Sequence, residues 1–236
     1  PVIEGDFVIF RGITANWGTS GPPGARFYGF DKRTGELAWS SDPDIRPVDS
    51  SNSSPTFTDL DGQRVFIAGT GSGSIICSNV RTGEPWRVTI STGGVNASVL
   101  PYGDDMFIAI HGKENIDSTA KGRLVCYRVP SKYPSGYKPV ILTEKDEVWR
   151  NDEHVSFSSS PVLHDDRVYS TIATGELLCV NAKTGETIWS LKLAPDQLHA
   201  SPLYADGKLY VPMADGKAFK TYSPNYPELV EKLSSN

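Results

Sequence analysis

Apolar residues fall in short runs cut by Asp, Asn and Gly, not at the three-to-four spacing of an amphipathic helix. That is the pattern of half-buried strands joined by tight turns. Residues 27–39, 75–86 and 177–189 are three versions of one unit: an apolar strand, then Asp31, Asn79 or Asn181, a Thr-Gly turn, and a second strand carrying Trp39, Trp86 or Trp189. Each version reads as an antiparallel hairpin. A second pattern precedes it, in which Ser54-Pro55-Thr56-Phe57 leads through Asp61-Gly62 to Arg64-Val65-Phe66-Ile67. Ala97-Ser98-Val99-Leu100, Ser160-Pro161-Val162-Leu163 and Ser201-Pro202-Leu203-Tyr204 lead to the matching strands at 103–108, 165–169 and 206–210, and residues 1–9 read as the same element cut at its start.

Gly35 and Gly83 lie 48 residues apart, and Gly83 and Gly185 lie 102 apart, which leaves room for one divergent unit between the last two. That unit begins near Asn96, has its third strand at 122–127, and ends on Val148-Trp149 after a detour through 130–139. The chain therefore divides into about five units at the ~40–50-residue period of a propeller blade. Their predicted limits are 1–45, 46–92, 93–150, 151–194 and 195–236. The expected fold is all-β: a single β-propeller domain or fragment made of four-stranded antiparallel blades, with 227–233 as the outermost strand of the fifth. An open array leaves two sheet faces in water, so the expectation is part of a larger propeller, from a processed or partial chain.

Composition narrows the picture. The 22 Gly and 17 Pro supply turns. With 23 basic against 28 acidic residues and no basic stripe, nucleic-acid binding is not expected. No apolar run approaches the roughly 20 residues of a membrane span, and no signal peptide opens the sequence. The mixed-sign run 143–147 reads as a solvated loop or edge strand. Cys77, Cys126 and Cys179 occupy one repeat position, held by Gly29 in the first copy. Equivalent positions in different blades are too far apart for a disulfide, so the three are read as buried structural thiols.

The hairpin motif has a structural purpose. Gly35, Gly83 and Gly185 supply the positive φ of a tight turn, while Asp31, Asn79 and Asn181, followed by Thr34, Thr82 and Thr184, bond its backbone amides. Trp39 and Trp189 are then expected to lie flat between neighbouring blades. Trp86 stands three residues after Gly83, where the other two stand four after their glycines. Either a strand bulge absorbs the slip or Trp86 docks differently.

Residues 31–39 and 181–189 resemble the tryptophan-docking repeat of the pyrroloquinoline quinone (PQQ) propeller superfamily, which includes quinoprotein alcohol dehydrogenases and the outer-membrane assembly lipoprotein BamB. The likeness extends over essentially the whole chain and, joined to the run 111–119, is nearest to bacterial PQQ-binding-like β-propeller repeat proteins. It implies a closed propeller of six to eight blades and a periplasmic or secreted setting in the bacterial envelope. For chemistry it implies two branches. Dehydrogenases of the superfamily hold PQQ with Ca²⁺ beside an adjacent Cys-Cys disulfide and an Asp base. This chain has no Cys-Cys, which weakens that branch, and no catalytic residue is carried over. The assembly branch implies a non-enzymatic scaffold with a protein partner.

Strands of a blade alternate in direction, so the loops between second and third strands share a face with the crossings from blade to blade. Those loops are long in the first blade (11–24) and the third (111–121), and short at 69–73 and 171–175. Added length on one face of a repetitive scaffold marks a candidate binding site. The face gathers Asn16, Trp17, Asp49, Asn52, Asn96, His111, Glu114, Asn115, Asp117, His154 and His199. On a functional reading, Trp17 stacks on a planar ligand, the carboxylates and amides hold Ca²⁺, and His111 is a base. On the plainer reading these are turn-capping polar residues, with His154 and His199 in inter-blade hydrogen bonds. No HExxH, CxxC, GxSxG or phosphate-loop motif is present. The leading expectation is a non-enzymatic binding or assembly scaffold that takes a protein or small ligand on this face. The alternative is a quinone-dependent alcohol or sugar oxidoreductase; a carbohydrate-active propeller, resting on Trp17, comes third.

Overall fold

The computed structural model describes residues 1–14, 24–42, 51–89, 94–112, 122–129, 142–196, 198–213, 216, 218–221 and 230–233. These form five four-stranded antiparallel sheets, each built from consecutive strands in order. The first holds β1 (Val2–Glu4), β2 (Phe7–Thr14), β3 (Gly24–Asp31) and β4 (Leu37–Ser41). The second holds β5 (Thr56–Leu60), β6 (Gln63–Gly69), β7 (Ser74–Asn79) and β8 (Pro85–Thr89), and the third β9 (Leu100–Tyr102), β10 (Met106–Gly112), β11 (Gly122–Arg128) and β12 (Glu147–Asn151). The fourth holds β13 (Val162–His164), β14 (Arg167–Thr171), β15 (Glu176–Asn181) and β16 (Thr187–Lys192), and the fifth β17 (Leu203–Ala205), β18 (Lys208–Pro212), β19 (Ala218–Thr221) and β20 (Val230–Leu233). The run 143–147 is not one element: Glu144–Asp146 is an exposed 3-10 turn capped by Thr143, and Glu147 begins β12.

The β3–β4, β7–β8 and β15–β16 turns close by one mechanism. The side chain of Asp31, Asn79 or Asn181 accepts from the backbone N–H two residues on, at 2.8, 2.8 and 2.9 Å, and Gly35, Gly83 and Gly185 take φ of +74°, +69° and +76°. Thr34, Thr82 and Thr184 each accept the N–H of the following Glu.

The short second copy is explained by register. The β3–β4, β11–β12 and β15–β16 pairings each contain a bulge, whereas β7–β8 runs without one. Trp86 is thereby opposite Cys77, as Trp39 is opposite Gly29, Trp149 opposite Cys126 and Trp189 opposite Cys179. The slip is absorbed by omitting a bulge, not by adding one.

Sheets pack face to face in sequence order. Ile9, Phe27 and Trp39 of the first meet Phe66, Ala68 and Ile76 of the second; Ile67, Ile75 and Cys77 meet Phe107, Ala109 and Val125 of the third. Ile108, Cys126 and Trp149 meet Val168, Leu178 and Val180 of the fourth, and Tyr169 and Cys179 meet Leu209 of the fifth. Trp39 donates through Nε1 to the Val80 carbonyl at 3.0 Å, and Trp149 donates to the equivalent Ala182 carbonyl at 2.8 Å. A Cβ on Gly83 or Gly185 would come within 2.5 Å of the Cε3 of the tryptophan above it. The turn glycines thus serve both the backbone turn and the neighbouring ring. Trp189 is half-buried beside Tyr169, and the Trp86 side chain lies outside the described residues. Cys126 and Cys179 are buried without disulfides, and burial pushes their thiols up to about 12 and about 11.

The face of the first sheet turned away from the second is apolar. It carries Ile3, Phe10 and Leu37, exposed by 70, 38 and 53%, with Phe10 stacked on Tyr28 and Phe30.

Candidate functional site

First strands of neighbouring sheets touch, β5 with β9 and β13 with β17. The crossings that enter them therefore gather around the centre of one face. Alignment by strand register makes Ser54, Ser98, Ser160 and Ser201 equivalent, and likewise Asn52, Asn96, Ser158 and His199. Backbone N–H of Ser98 donates to Ser160 Oγ at 2.9 Å, and that of Ser160 donates to Ser201 Oγ at 2.9 Å. Asn52 N–H donates to Asn96 Oδ1 at 3.1 Å, and Ser158 Oγ meets His199 Nδ1 at 3.0 Å. Below them Ser51 Oγ donates to Val95 O at 2.5 Å and Thr56 Oγ1 to Val99 O at 2.6 Å. The crossing face carries a belt of hydrogen bonds passed from blade to blade.

The sequence-expected residues divide accordingly. Asn96 and His199 belong to the belt, and Asn52 joins it through its backbone. His154 is buried at the outer rim with Nε2 2.6 Å from Thr187 Oγ1, and burial pushes its pKa down. His111 is fully buried near the end of β10, facing the second sheet, and neither ring nitrogen has a hydrogen-bond partner among the described residues. Desolvation, with the charges of Arg123 and Arg150, pushes it down to about 3, so it holds no proton at neutral pH. Asn16, Trp17, Asp49, Glu114, Asn115 and Asp117 lie outside the described residues.

Beside His111 the third sheet holds a charged network. The side chain of Glu147 is 8% exposed; it accepts from the Tyr127 hydroxyl at 3.0 Å and from Arg150 at 2.7 and 2.8 Å. The two-pronged pair lies within β12 and holds the Glu147 carboxylate where the Tyr127 hydroxyl reaches it, and that hydroxyl bond ties β11 to β12. The serine belt is the feature sequence reading passed over. Its signal was the serine that recurs just before the first strand, followed by Pro at Ser54, Ser160 and Ser201 and by Val at Ser98.

PQQ chemistry can be tested against these donors. Ca²⁺ takes six to eight hard oxygens, carboxylates foremost, while the described crossing positions present Asn, Ser and His groups already bonded to one another. No cluster of three His, Cys, Asp or Glu converges among the described residues. The described donors do not fit a PQQ–Ca²⁺ site, and no reaction step is derived through one.

Four-stranded antiparallel sheets packed face to face in sequence order, with Trp39 and Trp149 over turn glycines of the next sheet, define a PQQ-like β-propeller. The chain belongs to the family described as outer membrane protein assembly factor BamB, whose model matches residues 1–143 and 140–224. Among solved structures it is similar to BamB from Moraxella catarrhalis, at 17% identity and a TM-score of 0.63 over 99% of this chain and 62% of that one. It is similar also to quinohemoprotein alcohol dehydrogenase ADHIIG from Pseudomonas putida HK5, at 14% identity and a TM-score of 0.63 over 95% of this chain and 40% of that one. The computationally designed protein Ika4 matches at 13% identity and a TM-score of 0.51, over 74% of this chain and 94% of its own. This chain thus spans less than two thirds of the natural BamB and dehydrogenase chains. No curated protein matches it in sequence. Among the described residues no helix is long and apolar enough to cross a membrane.

Proposed function

We propose that this propeller is a non-enzymatic scaffold of the bacterial envelope, periplasmic in setting, that presents its crossing face to a protein partner engaged in outer-membrane protein assembly. One observation carries the reading: among the described residues, a belt of polar side chains on that face spends hydrogen bonds on neighbouring blades. Asn96, Ser160, Ser201 and His199 each hold a neighbouring crossing in place, which stiffens the surface and lowers the entropy lost when a partner binds it. Membership of a family described as an assembly factor supports the partner class.

The test is a photo-crosslinking amino acid placed singly at Asn52, Ser158 or Ser201 in the native host. A crosslink to a component of outer-membrane protein assembly, lost when the label is moved to Lys183 on the opposite face, is the expected outcome. Uniform labelling from both faces, or none from either, refutes the proposal.

A further inference from the structure

On the face opposite the crossings, the interface of the first and second sheets differs from that of the third and fourth at three equivalent positions, and a cavity lies there. Register makes Glu4 equivalent to Tyr102, Arg64 to Asp166, and Arg81 to Lys183. Between the third and fourth sheets the three groups form a closed set. The Tyr102 hydroxyl donates to Asp166 Oδ1 at 2.8 Å, and Lys183 Nζ lies 2.5 Å from Asp166 Oδ2. Tyr102 itself packs against the apolar cluster there.

Between the first and second sheets the central charge is reversed. Arg64 pairs with Glu4 Oε1 at 2.8 Å and with Asp59 Oδ2 at 3.2 Å. Arg81 shares the lining with the Arg64 guanidinium where Lys183 meets a carboxylate, and it makes no ion pair among the described residues; its backbone N–H donates to Asn79 Oδ1. Glu4 also lacks the ring that Tyr102 supplies. A cavity of about 400 Å³ results, lined by Glu4, Gly5, Asp6, Phe7, Arg64, Val80 and Arg81, within the roughly 300–1,000 Å³ of small-ligand pockets. Asp6 is held from outside by Arg33 at 3.0 Å, so Arg81 brings to the lining a positive charge that no ion pair among the described residues compensates.

We propose that this cavity binds a small monocarboxylate with an apolar or aromatic body. The carboxylate stands to Arg81 as the Asp166 carboxylate stands to Lys183, and the body rests on Phe7 and Val80 in the place of the Tyr102 ring. Arg is suited to this because its planar donors match a carboxylate in two-pronged fashion. Arg81 is exposed, so the contact is screened and the apolar body must contribute.

The probes are phenylacetate, phenylethylamine and inorganic phosphate, followed by amide NMR shifts of the protein. Phenylacetate is expected to saturate with a dissociation constant on the order of 1 mM, with shifts centred on Gly5, Phe7, Val80 and Arg81. Arg81→Gln, which leaves the backbone turn intact, weakens it about tenfold, whereas Lys183→Gln at the equivalent position leaves it unchanged. Glu4→Tyr combined with Arg64→Asp imports the closed set and removes binding. Shifts scattered over the surface, equal binding of phenylethylamine or phosphate, or an unchanged Arg81→Gln variant overturns the proposal.

Discussion

Replacing Trp39 with Ala removes a ring that is 8% exposed and covers Gly29 and Gly83. It also deprives the Val80 carbonyl of its 3.0 Å donor and Phe66 of its stacking partner. Loss of a buried Trp costs about 3–5 kcal/mol in comparable cores, and the unmet carbonyl adds roughly 1 kcal/mol. Against a typical domain stability of about 5–15 kcal/mol, such a loss is large. It is also local, because in a repeat array each unit contacts only its neighbours. Trp39→Phe keeps most of the ring and forfeits the hydrogen bond, so about 1–2 kcal/mol is expected. Leu37→Ala, two residues earlier and mostly exposed, is expected to cost less than about 0.5 kcal/mol. Urea unfolding gives the totals, and amide exchange locates them: Val80 N–H, bonded to Arg64 O, is expected to lose protection while Ala182 N–H, bonded to Asp166 O, keeps it. A Trp39→Ala cost below about 1 kcal/mol, or equal loss of protection at both amides, refutes the docking argument.

Three further expectations follow from the same contacts. His111 titrates near 3 in the fold against 6.5 ordinarily; the unfolded chain binds the extra proton, so its contribution is complete above pH 6.5 and falls as pH drops toward 3, by about 1.4 kcal/mol per pH unit. His111→Leu is expected to flatten that acid limb in denaturant titrations at pH 7 and pH 4; an unchanged pH slope contradicts the reasoning. Ser160→Ala removes an acceptor of the crossing belt and is expected to cost about 1 kcal/mol with faster exchange at Ser98 N–H; unchanged exchange there argues against the belt. Cys126 and Cys179 are expected to resist a thiol reagent at pH 8 until urea unfolds the chain, since their thiols titrate near 12 and 11; rapid native labelling would show the thiols are accessible.

Blade architecture was legible because three hairpins state their turn locally: Asp or Asn to accept, Thr to follow, Gly for positive φ. Interface partners were less so. Trp149 sits in a copy without a Thr-Gly turn, yet register puts it opposite Cys126 and over Gly185, and only pairing reveals that. The pair Glu4–Arg64 matches Tyr102–Asp166 by position but shares no chemistry with it, so no sequence motif marks the site. His111 was expected among loop residues, but the strand runs two residues further, to Gly112, and carries the ring into the interface. Hydrogen bonds of the crossing belt join backbone to side chain across blades, a long-range geometry that periodicity does not encode.

The proposed scaffold holds the belt of its crossing face for neighbouring blades, not for a quinone. Titration of the purified protein with PQQ, with and without Ca²⁺, followed by tryptophan fluorescence and heat, tests that directly. No saturable binding in either condition is the result predicted. Ca²⁺-dependent saturation at one site per chain contradicts the account and makes the propeller a quinone enzyme.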